Sequence, residues 1–115
     1  MEAWLDEIKN GPDSSRIGIH LLHNGVVRGT ARDGSVVSGM NLSYDPRRLE
    51  QVIEQIESRP GVVATRVWIN EGPLAVGDDI MYTLVAGDTR EHVFGGLTEL
   101  IGLIKSEVVA EWEIT

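Results

Sequence analysis

Apolar and polar positions along this chain follow two periods, and the changes of period mark out its elements. Near the N-terminus Ala3, Trp4, Leu5 and Ile8 recur at helical spacing until "NGPD" interrupts them, which predicts a short helix over Met1–Lys9. "RIGIHLL", Arg16–Leu22, has the aliphatic content of a strand. "HNGVVRGTARDGS" follows and reads most simply as a loop, although Asn24-Gly25 alone could form a hairpin turn that puts Val26 and Val27 on a second strand. "SVVSGMNLSY" is extended again.

Asp45-Pro46 opens the second helix with an N-cap carboxylate and a proline at the first helical position. Leu49, Val52, Ile53 and Ile56 form its apolar stripe, and "RPG" at 59–61 stops it. "VVATRVWI" (62–69) and "DIMYTLVA" (79–86) are strands, with "NEGPLAVGD" as a turn region between them. Asp88, with Glu91 three residues on, predicts a capped third helix. Its core stripe is Val93, Phe94, Leu97, Leu100, Ile101, Ile104 and Val108, and "VVAEWEI" ends the chain as a strand. Gly95, Gly96 and Gly102 lie inside that helix, which points to close backbone approach by a sheet or a second subunit. The order is helix, two strands, helix, two strands, helix, strand. Short links between consecutive strands favour antiparallel pairing, so the expected fold class is α+β, an antiparallel sheet covered by helices.

Length and composition narrow the function. At 115 residues, the chain is expected to form one domain over 1–115. Its apolar runs are too short for a membrane span, and the acidic, amphipathic start is unlike a secretory signal, so a cytoplasmic location is expected. A net charge of −8 argues against nucleic acid as a partner. Without cysteine there is no disulfide, thiolate metal site or cysteine nucleophile. His20 and His23 are three apart on a strand and so face opposite sides, and His92 falls on the exposed side of the third helix; no metal site is expected from them. Trp4, Trp68 and Trp112 sit in apolar segments and read as core or interface anchors.

The cations are more informative. Arg28 and Arg32 flank the glycine-rich loop, Arg90 begins the third helix and Lys105 ends it. Lys105 opposes the helix macrodipole, whereas Arg90 in the first turn is mildly unfavourable and calls for another reason, such as an anion held near the helix N-terminus.

Several fragments together resemble the large, catalytic subunit of molybdopterin synthase. "GVVR" (25–28) is similar to that family's G-x-V-R segment at the end of its first strand, and "SVVSGMNLSY" to the strand after it, ending in Tyr44. "EGPLAVGDDIMYTLVAGDTREHVF" (71–94) is similar without gaps, and "LIGLIKSEVVAEWE" resembles the lysine-containing C-terminal segment. The resemblance covers about residues 16 to 113. It implies the large-subunit fold, of α/β-hammerhead type, and a homodimer. It also implies a ubiquitin-like small-subunit partner whose Gly-Gly tail carries sulfur as a thiocarboxylate, and an anionic pterin phosphate as the acceptor. No cofactor is implied. The residues carried over are Lys105 as the catalytic group, with Arg28 and Arg90 binding substrate. Arg90 and Lys105 lie about 22 Å apart along one helix, so a shared pocket requires two chains.

The chain also departs from the family. Thr89 replaces the histidine before Arg90, and Ile69, Asn70 and Glu71 replace a His-Arg segment. The His-Asn loop after the G-x-V-R arginine is "GTARDG", and Glu111 and Glu113 stand where a second lysine is expected. A sulfur-transferring subunit is therefore set beside a second reading, a non-catalytic relative serving as a dimeric binding or regulatory module.

Overall fold

The computed structural model describes residues 2–114, so Met1, the expected first residue of the N-terminal helix, lies outside it. Among the described residues, six strands form two three-stranded antiparallel sheets rather than one. The first comprises β1 (Ile19–Val26), β5 (Asp79–Gly87) and β3 (Val62–Ile69), with β5 central. The second comprises β4 (Gly72–Ala75), β2 (Gly39–Tyr44) and β6 (Val109–Ile114), with β2 central.

Central β5 is buried from Thr83 to Gly87, because helices cover both faces of its sheet. Helices α2 (Pro46–Glu57) and α3 (Arg90–Leu103) pack Val52, Ile56, Val93 and Leu100 against one face. The short α1 (Glu2–Lys9) covers the other, where Trp4, Leu5 and Ile8 meet Ala64, Leu84 and Ala86. Met40, Leu42, Leu74 and Val108 join the second sheet to the main core. Burying one such aliphatic side chain stabilises the fold by about 1.5–3 kcal/mol.

Helix α2 follows its sequence signals closely. The Asp45 carboxylate accepts from the Arg47 and Arg48 amides at 3.1 and 3.2 Å, and Pro46 occupies the first turn. Such a cap is worth about 1 kcal/mol.

Other expectations are corrected. β1 runs straight through Asn24-Gly25 to Val26, so no hairpin turn forms there; the irregularity is a bulge between Gly25 and Val26. Part of "NEGPLAVGD" is strand β4, which pairs with β2 in register Leu42↔Gly72 to Gly39↔Ala75. The N-cap of α3 is Thr89, not Asp88. The Asp88 carboxylate instead accepts from the Thr89 amide at 2.6 Å and meets the His92 ring at 2.7 Å, and these bonds hold it low in pKa, His92 first. Phe94, expected in the core, is 49% exposed.

Two of the three glycines of α3 lie against this chain's own groups. A Cβ on Gly96 would press on Val62, Val85 and Ile56; one on Gly95 would strike the Arg59 guanidinium; one on Gly102 would meet nothing. The close approach to the chain's own sheet is at Gly96, whereas Gly102 faces open space.

Candidate functional site

Helix α3 does not end in a simple cap. It widens into a π-turn, Ile104–Val108, which runs directly into β6 and carries Lys105. Single π-turns cost hydrogen-bond quality and recur at functional positions. Two side chains hold this one. Ser106 Oγ donates to the Gly102 carbonyl at 2.8 Å, and Arg48 on α2 donates to Glu107 at 2.9 Å.

The glycine-rich segment after β1 is more ordered than a plain loop. Ala31 N–H donates to Ser35 O, Val37 N–H donates to Gly29 O, and Gly34 turns the chain at φ 89°. Asp33 accepts from the Ser35 hydroxyl and amide, which lowers its pKa. This small hairpin presents Arg28, Arg32 and Asp33. Arg28 is steadied by its Nε–H, which donates to the Thr30 carbonyl at 2.9 Å.

On β6 the strand period decides which side chains face inward. Glu111 pairs with Leu42 and Glu113 with Met40, both of which are buried, whereas Trp112 pairs with exposed Asn41. The two glutamates therefore share the inner face, and Trp112 is left 59% exposed on the outer one.

These pieces meet in a cleft of about 640 Å³ at the junction of the two sheets. Its charged lining is Arg28, Arg32, Asp33, Lys105, Glu111 and Glu113, three of each sign. The size suits a small-molecule site. Behind it lies a narrower slot of about 160 Å³, floored by Met40, Ile69, Ile80 and Met81. His23, Lys105 and Glu111 border the slot, and Lys105 and Glu111 line both spaces. Burial, and then the charge of Lys105, lowers the His23 pKa, and its Nδ1 is buried without a hydrogen-bond partner among the described residues. His20, on the opposite face, is lowered by burial and by Lys9 instead.

A further cavity of about 320 Å³ lies beneath α1, but its charges are engaged: Arg66 pairs with Glu7 at 2.8 Å, and Glu57 accepts from the Thr65 amide at 2.9 Å. Around the cleft, by contrast, no ion pair within 4.0 Å involves Arg28, Arg32 or Lys105 among the described residues.

Arg28 and Lys105 are thus brought together from distant parts of the sequence. Arg90 is not: it is exposed at the opposite end of α3 and lines neither space. The sequence marks Arg32 only as a cation flanking the glycine-rich loop, and His23 only as a metal ligand to be set aside. The signal for His23 was there, since strand alternation sets it opposite His20, but what lay on that side was not legible locally.

Two sheets joined by a π-turned helix, with a charged cleft at the junction, define a class, and comparison gives it a name. The profile described as MoaE protein matches residues 2–107, and the chain belongs to that family. No curated protein matches it in sequence. The fold is similar to molybdopterin synthase from Staphylococcus aureus, at 22% identity and TM-score 0.74, covering 85% of this chain and 74% of that one. It is also similar to the molybdopterin cofactor biosynthesis protein E of Burkholderia multivorans, at 20% identity and TM-score 0.75, covering 97% and 77%. The complex of subunits 1 and 2 of molybdopterin-converting factor from Helicobacter pylori matches at 14% identity and TM-score 0.72, covering 97% and 73%. Family membership supports a role in molybdenum cofactor biosynthesis.

Proposed function

We propose that this chain is the large subunit of a molybdopterin synthase-type sulfurtransferase, acting in the cytoplasm. A thiocarboxylated Gly-Gly tail of a ubiquitin-like small subunit delivers sulfur to an anionic pterin phosphate. The observation that carries this reading is the meeting of Lys105 and Arg28 in one cleft, with no ion pair to either among the described residues. The thiocarboxylate sulfur bonds to a side-chain carbon of the pterin as that carbon's bond to oxygen breaks and the oxygen leaves with a proton. Water then attacks the acyl carbon, the acyl–sulfur bond breaks, and the tail returns as a carboxylate while the sulfur stays on the pterin. Negative charge develops on the acyl oxygen during that exchange, and the Lys105 ammonium is placed to stabilise it. Arg28 holds the substrate's phosphate. Arg90 takes part only through a homodimer, in which a second copy would bring its own Arg90 to this Lys105. The two-subunit complex from Helicobacter pylori supports a small-subunit partner.

The test is sulfur transfer from a thiocarboxylated small subunit by native protein and by Lys105→Ala. Losing an oxyanion-stabilising group costs roughly a hundred- to a thousand-fold in rate. Equal product formation by the variant removes Lys105 from the chemistry.

A second reading is favoured by one observation, the three carboxylates that balance the three cations of the cleft. In it the chain is a non-catalytic relative, a dimeric binding or regulatory module. A native chain that binds the small subunit yet transfers no sulfur would decide for it.

A further inference from the structure

We infer that the slot behind the cleft reads the donor edge of an amino-pyrimidinone ring, and that Glu111 is its specificity-determining residue. The inference rests on the proposed pterin reading and assigns that ligand an orientation.

The slot, at about 160 Å³, is the size of cavity that accepts one benzene-sized ring. Its floor of Met40, Ile69, Ile80 and Met81 offers a planar ring apolar and sulfur contacts. Its polar groups are few and of distinct kinds: a carboxylate on Glu111, which only accepts, an ammonium on Lys105, which only donates, and the half-buried His23. Burial and Lys105 hold His23 towards its neutral form, and its Nδ1 has no hydrogen-bond partner among the described residues.

An amino-pyrimidinone ring presents the complementary set. Its ring N–H and exocyclic amine are two adjacent donors, which match the two oxygens of one carboxylate in a bidentate pair. The neighbouring carbonyl accepts and suits Lys105. With the ring in the slot, an anionic substituent extends into the outer cleft, where Arg28 and Arg32 lie. Glu111 borders both spaces and Glu113 only the outer one, so ring reading falls to Glu111. A carboxylate beside a lysine in an anion-binding cleft is otherwise a liability, and this pairing gives it a task.

The experiment uses fluorescence titration with two phosphate-free probes, pterin and lumazine, at a pH where both are uncharged. Lumazine replaces the exocyclic amine by a carbonyl, so it presents an acceptor where pterin presents a donor. Native protein should bind pterin roughly tenfold or more tighter than lumazine, the discrimination expected of a bidentate pair. Glu111→Gln should erase that preference, because the amide meets two donors with only one acceptor. Glu111→Ala should do the same, and far-ultraviolet circular dichroism checks that both variants fold. Equal binding of the two probes, no pterin binding by native protein, or an undiminished preference in either variant overturns the inference. Inorganic phosphate titrated into native protein tests the anion site of the outer cleft separately from ring reading. Phosphate bound without pterin discrimination leaves the anion reading standing alone. Discrimination without sulfur transfer removes the enzyme reading and leaves the ring reader.

Discussion

Arg48 of α2 donates to Glu107 at 2.9 Å, and so ties the helix across the core to the turn that carries Lys105. Both side chains are about a third exposed, at 31% and 39%. Solvent screening then limits the pair's contribution to stability to about 0–1 kcal/mol. Its larger effect is positional, since Glu107 lies two residues beyond Lys105 within the π-turn. Arg48→Ala should barely change the urea midpoint while raising amide exchange selectively over residues 104–108. Uniform protection in the variant would show that the turn holds itself.

Gly61 is placed where a side chain is costly on two counts. It adopts φ 81°, and a Cβ there would run into the His92 ring and the Asp88 carboxylate. His92 can swing away because it is exposed, but the backbone strain remains. Gly61→Ala should destabilise the protein by about 1–3 kcal/mol, read by chemical denaturation. An unchanged midpoint would mean that the β3 entry relaxes freely.

Acid stability should reflect the two strand histidines. Burial lowers both below their ordinary value of 6.5, with Lys9 adding to it at His20 and Lys105 at His23. The folded chain therefore takes up their protons at lower pH than the unfolded chain does. Stability contributed by the neutral rings is present above about 6.5, falls as pH drops below it, and is lost once the folded-state values are passed. Asp88, also lowered, acts in the same direction but only below the carboxylate value of 3.8. Urea midpoints between about pH 7 and pH 5 thus isolate the histidines. A His20→Gln, His23→Gln double variant should flatten that slope, and a slope of native steepness would assign it to other groups.

The sequence was legible where local chemistry dominates. Asp45-Pro46 and the "RPG" stop fix α2, and the aliphatic runs of β3 and β5 need no context to be read as strands. Strand β4 was hidden because Gly72 and Pro73 read as turn residues, and it is a strand only through pairing with β2. Phe94 fell on the expected stripe yet remains half exposed, since helical period gives a face and not its extent. Lys105 and Arg28 stand out as isolated cations, and their roles come through family resemblance. Their meeting in one cleft depends on a π-turn that no local pattern announces.

Self-association should occur through the open edge of the second sheet. Among the described residues no strand pairs with the outer edge of β4 or β6, and β6 exposes Trp112 at 59% and Ile114 at 41%. Paired aromatic and aliphatic groups on an open edge favour association. Sedimentation should show a dimer at micromolar concentration, and Trp112→Glu should shift it to monomer. A monomeric native chain would remove any role for Arg90 beside Lys105.

Charge in the outer cleft separates the enzyme from the binding module. Glu113 projects from the inner face of β6 into the space that Arg28 and Lys105 line, and Asp33 and Glu111 complete a neutral set of six charges. Two unit charges about 4 Å apart interact by roughly 4 kcal/mol at an effective dielectric near 20. A carboxylate that close to a bound phosphate would cancel most of what one arginine contact supplies. Native affinity for a pterin phosphate is therefore expected to be weak. Glu113→Lys should raise it, because it removes a repulsion and adds an attraction at one position. The gain should be largest at low salt and shrink as ionic strength approaches about 0.15 M, where the screening length is about 8 Å. Calorimetric titration of both proteins across salt concentrations measures this. Tight native binding would mean that Glu113 turns away from the phosphate when ligand enters, and would favour the enzyme. Absence of binding in both proteins would favour the non-catalytic module.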